Sequence, residues 1–141
     1  MCMAVYIAAD QPLTLVPWDE AHPAFYLAGV DQADLPVFSQ FTKAHVAYAG
    51  SHEGCGCGFQ YGEYPEFREP DEAVARRASL DQFAAYLAGE LARVGPIELY
   101  ACWEGDQTAP VEHRRALTPL VLQSEEFFFL QKELSLVTAA P

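Results

Sequence analysis

The chain has 141 residues, 51% of them hydrophobic and 13% aromatic, which excludes a disordered or low-complexity protein. At this length folding buries roughly 68–70% of the surface the unfolded chain exposes, so one domain over residues 1–141 can build a core without disulfide staples. Twenty acidic residues against eight basic ones leave a formal charge of −12, a field that disfavours nucleic acid and anionic membranes and favours metal ions or a basic protein partner.

Met3 to Ala9 reads as a buried strand ended by Asp10-Gln11-Pro12. Leu13 to Pro17, Phe25 to Val30 and Val37 to Phe41 are short apolar pieces punctuated by proline and glycine, which suits edge strands and loops. Ala44 to Ala49 is a further strand, and Gln60 to Glu72 a long acidic loop without a period. Ser79 and Gln82 have the spacing of a capping box, and Leu80, Phe83, Ala84, Leu87, Leu91 and Val94 then follow helical spacing up to the stop at Gly95-Pro96. This predicts one main helix over about 80–94, preceded by a shorter helical piece over Asp71 to Arg77.

Ile97 to Glu104 alternates, with Ile97, Leu99, Ala101 and Trp103 on one face and Glu98, Tyr100, Cys102 and Glu104 on the other. Val111 to Leu117 reads as an antiparallel partner strand, and Glu125 to Val137 as a last strand interrupted by a turn near Gln131 to Glu133. The expected fold is α+β, a mostly antiparallel sheet with the main helix packed on one face.

The N-terminus has no basic region before its apolar run and no small-residue cleavage site after it, and no run reaches the roughly 18–20 apolar residues that span a bilayer. A cytoplasmic location is therefore expected. In that reducing compartment the four cysteines read as free thiols or metal ligands before they read as disulfides.

The segment Ser51-His52-Glu53-Gly54-Cys55-Gly56-Cys57-Gly58-Phe59 puts two thiols one residue apart among glycines, whose freedom to adopt positive φ lets both sulfurs turn toward one point. The first reading is a metal site with Cys55 and Cys57 as ligands, completed from His52, Cys102 and Cys2. Zinc, which takes four nitrogen or sulfur donors, is the usual occupant of such a set, and Cu(I) also suits thiolates. Cys102 is the preferred distant ligand because alternation places it on the polar face, whereas Cys2 lies at the end of its strand, on the opposite parity from Met3, Val5 and Ile7.

The second reading is thiol–disulfide exchange by the Cys55-Gly56-Cys57 dithiol. A bridge across one residue would be strained and easily reduced, and a thiolate nucleophile needs electropositive surroundings. Glu53, Glu63 and the net charge supply the reverse, which favours a cation over an exchanging thiolate. In the third reading the cysteines are small buried hydrophobes, and the chain is a metal-free acidic interaction domain.

Met1-Cys2 with Tyr6-Ile7-Ala8, the block from His45 to Phe59, and Glu98-Leu99-Tyr100-Ala101-Cys102-Trp103-Glu104-Gly105-Asp106 together resemble a group of small uncharacterised bacterial proteins. The resemblance spans most of the chain. It implies a bacterial cytosolic protein and carries no activity. The residues themselves point to a metal site of Cys55, Cys57, Cys102 and His52, with zinc as its occupant.

Overall fold

A computed structural model describes residues 2–67 and 69–140, Phe67 through its backbone only. Among the described residues six strands form one sheet: β1 (Met3–Ala9), β2 (Tyr26–Gly29), β3 (His45–Gly50), β4 (Ile97–Trp103), β5 (His113–Leu117) and β6 (Glu133–Val137). Their order across the sheet is β2-β3-β1-β4-β6-β5. β1 pairs antiparallel with β3 on one side, Val5 opposite Ala49, and with β4 on the other, Val5 opposite Ala101.

Every residue of β1 is buried, because both of its edges are paired and both of its faces are covered. Met3, Val5, Ile7 and Ala9 join the main core with Ile97, Leu99 and Ala101, while Ala4 and Tyr6 pack with Val37, Tyr100 and Cys102 in a second cluster. The period-two alternation of strands thus sends β1 and β4 into two separate apolar layers.

The main helix, α1, runs from Pro70 to Val94 and absorbs the shorter piece expected over 71–77. Its start is set by Pro70, whose missing N–H costs nothing in the first turn, and by Asp71 and Glu72, which favour the positive end of the helix dipole. Ser79 is therefore no cap. It lies buried in mid-helix, where a serine next to an apolar stripe imitates the start signal. Leu80, Phe83, Leu87, Leu91 and Val94 face the sheet, and the Phe25 and Phe83 rings stack at 4.9 Å. Gly95, at φ +77°, ends the helix and donates its N–H to the Leu91 carbonyl at 3.1 Å.

The last two strands differ from expectation. β5 pairs with β6 in parallel, His113 opposite Glu133, instead of antiparallel with β4. Parallel neighbours need a crossover, and residues 118–132 provide it: a four-residue helix, α2 (Pro119–Leu122), then an irregular stretch that replaces the first half of the expected last strand. Likewise Gln32–Gln40 forms a 3-10 helix where the short apolar pieces suggested edge strands and loops, and its Val37 seals the second cluster. Among the described residues no helix is long and apolar enough to cross a membrane.

Candidate metal centre

β3 delivers the chain into the cysteine loop, and Ser51, fully buried, organises it. Its N–H and its hydroxyl both donate to the Cys55 carbonyl, at 3.0 and 2.5 Å. The Ser51 hydroxyl oxygen in turn accepts the N–H of Gly58 at 3.1 Å and of Glu53 at 3.2 Å. The loop is thus folded back on one serine, a role that sequence reading missed although a serine closing a strand before a glycine run is a recognisable turn signal.

The loop glycines serve two different needs. Gly54 alone among them has positive φ, +85°. Gly56 and Gly58 are required by close approach: a Cβ on Gly56 would lie 2.8 Å from Val5 Cγ2, and one on Gly58 would lie 2.2 Å from Ser51 Oγ. Gly56 therefore lets the segment rest directly on β1. Cys57 and the buried Phe59 then occupy a short 3-10 turn, Gly56–Phe59, with Phe59 inserted beside Phe25 and Phe83.

This seating brings three sulfurs together. One ligand atom from each of Cys2, Cys55 and Cys57 lies within 4.8 Å of the others. Ligands at ~2.3 Å around one tetrahedral ion stand about 3.8 Å apart, so small side-chain adjustments suffice for a shared centre. All four cysteines are free thiols. The Met3 N–H donates to Cys57 Sγ at 3.3 Å, and the Glu104 N–H fixes the Cys2 carbonyl at 2.9 Å. Burial pushes the Cys55 thiol up to about 12, a direction reinforced by the thiols of Cys57 and Cys2 and opposed by the Cys57 N–H. A cation at the cluster would offset that cost for Cys55, since ligation puts a positive charge beside the thiolate in place of its proton.

Cys102 and His52 are not members of this cluster. Cys102 is fully buried in the second apolar layer with Tyr6 and Tyr100, on the face of β4 that turns away from α1. The alternation that made it attractive as a polar-face ligand is real, but that face is covered by Val37. His52 is turned toward α1, with Nδ1 2.9 Å from Ser79 Oγ. Burial holds its imidazole below the ordinary value, Glu53 opposing and Arg76 adding to the effect.

Cys2 takes the third place for a topological reason. Antiparallel pairing sets the beginning of β1 beside the end of β3, so the residue before Met3 meets the loop that follows Gly50. Comparisons of the chain with protein-family models, with curated proteins and with solved structures gave no match.

Proposed function

We propose that this is a small metal-binding protein whose site is the thiol cluster of Cys2, Cys55 and Cys57, with zinc as its occupant. The observation that carries the reading is the mutual approach of three free sulfurs from two distant segments to within 4.8 Å. Two of the three are half-buried and Cys2 is exposed, so an ion there is reachable from solvent. Three thiolates suit soft or borderline cations, and zinc completes its four-coordinate shell with solvent or one further donor. Cu(I) is favoured by the same sulfurs. The net charge of −12 adds general attraction for a cation.

Elemental analysis of protein purified without added metal tests the reading directly, together with cobalt substitution, whose sulfur-to-metal absorption reports thiolate ligation. One equivalent of metal, lost on Cys55→Ser with Cys57→Ser, is expected. A metal-free protein that shows no cobalt–thiolate band, and whose Cys55 and Cys57 instead form a reversible disulfide, would replace metal binding by thiol exchange.

A further inference from the structure

Beside the cysteine loop, on the face of the sheet away from α1, lies a cavity of about 260 Å³ lined by Tyr26, Tyr48, Asp31, Asp34, Gly54 and Glu104. We propose that this cavity binds a small organic cation, an ammonium or guanidinium group, between the two tyrosines and the three carboxylates. The proposal does not depend on the metal reading.

Size comes first. Drug-sized ligands occupy roughly 300–1,000 Å³, so this cavity suits a head group or a compact amine. Charge sets the sign: three of the residues are carboxylates, none is basic, and Asp31, Asp34 and Glu104 form no ion pair among the described residues. Gln107 holds two of them without neutralising them, its amide donating to Glu104 at 2.9 Å and to Asp34 at 3.5 Å.

The spacing of the carboxylates selects the class of cation. Among the described residues, the three do not bring one oxygen each within 4.8 Å of one another, as the thiols do. A hard metal ion with oxygen ligands at 2.3–2.6 Å requires that closeness, as order-of-magnitude geometry; an organic cation with several N–H donors spread over a few ångströms does not.

The tyrosines complete the fit. Both hydroxyls donate to the Gly54 carbonyl, Tyr26 at 2.6 Å and Tyr48 at 3.3 Å, which leaves their oxygen lone pairs to accept N–H groups. Their rings belong to a run of aromatic contacts, Trp18 to Tyr26 at 5.2 Å, Tyr26 to Tyr48 at 6.2 Å and Tyr48 to Tyr6 at 5.5 Å. Aromatic surface beside carboxylates is the setting in which a cation gains from ring quadrupoles as well as from charge.

The test is calorimetric and NMR titration of the full chain with butylguanidinium, with the peptide acetyl-Gly-Arg-Gly-amide, and with butylurea, a neutral isostere. The first two distinguish a free small-molecule cation from a basic peptide side chain as the source of the cation. Saturable one-to-one binding of either, with butylurea at least about tenfold weaker, is expected. Asp31 and Glu104 are exposed, so Asp31→Asn with Glu104→Gln should keep the far-UV circular dichroism of the parent while weakening binding about tenfold. Absence of binding by both cations at millimolar concentration, equal binding of butylurea, unchanged affinity in the double variant, or displacement by equimolar Ca²⁺ would each overturn the proposal.

Discussion

Ser79 Oγ, in the middle of α1, accepts the main-chain N–H of His52 at 3.1 Å and lies 2.9 Å from the same residue's Nδ1. One hydroxyl on the helix thus fixes both the backbone and the ring of the residue that follows Ser51, and so holds the cysteine loop against the helix. Ser79→Ala would leave these partly buried His52 groups without that partner. A loss of about 1–3 kcal/mol is expected, read as a lower urea midpoint with an unchanged slope. Since Ser79 lies well inside the helix, the loss should not appear as fraying of residues 70–78 in hydrogen exchange.

Gly56→Ala tests the seating of the loop on β1. The new Cβ would meet Val5 Cγ2 at 2.8 Å and the Met3 carbonyl oxygen at 3.1 Å, and the resulting overpacking should cost about 1–3 kcal/mol. Because the segment must lift away from β1, the cobalt–thiolate absorption should weaken more than in Gly54→Ala. In that second variant the new Cβ enters open space, and the cost, about 1–2 kcal/mol, comes from the left-handed backbone alone.

The membership of the thiol site is checked by paired serine substitutions. Cys2→Ser should reduce cobalt or zinc affinity by more than an order of magnitude and leave stability of the metal-free protein nearly unchanged, because its side chain is exposed. Cys102→Ser should do the opposite. It buries a hydroxyl in the apolar layer of Ala4, Tyr6, Val37 and Tyr100, for a loss of about 1–3 kcal/mol if the hydroxyl finds no partner, with metal content retained. Equal metal affinity in Cys2→Ser and the parent would remove Cys2 from the site.

Alkaline pH should destabilise the metal-free protein. Burial pushes the Cys102 thiol up from 9.0 to about 12, with Glu104, Asp106 and Asp34 acting in the same direction. In the unfolded chain the thiol ionises near its ordinary value, so the folded state binds the additional proton, and stability is full below about pH 9 and falls as pH rises toward about 12. Tyr100, pushed up from 10.0 to about 12 by burial, contributes with the same sign from a higher starting point. Urea midpoints measured between pH 8 and about 10.5 should therefore decline, and Cys102→Ala should flatten the first part of that decline. A parallel decline in parent and variant would assign the effect to other groups.

Much of the scaffold is legible in local pattern. The strand at 3–9, the alternation over 97–103 and the helix stop at Gly95 follow from side-chain period and glycine chemistry, and all three stand in the structure. What escapes is set by contacts between distant segments. Ser79 looks like a cap because a hydroxyl before an apolar stripe has the same local appearance whether it meets a free N–H of its own helix or the N–H of His52. The parallel pairing of β5 escapes because a crossover without regular periodicity resembles a broken strand. In the thiol site, Cys55 and Cys57 were readable from the glycine-spaced motif, whereas the choice between Cys2 and Cys102 turns on strand order and on which face of β4 is covered, neither of which is encoded within a few residues of either cysteine.

The position of β1 also orders events in time. Its first residues sit between the ends of β3 and β4, so Cys2 reaches the other two sulfurs only after the central strand has docked between its neighbours. Cys55 and Cys57, by contrast, are close as soon as their own turn forms, within the microseconds typical of short loops and hairpins. During refolding a two-sulfur contact is expected to precede the three-sulfur one, with the interval between them marking the docking of the central strand. A stopped-flow signal from cobalt capture, moving from two to three thiolate ligands, would read the assembly of the sheet from its middle.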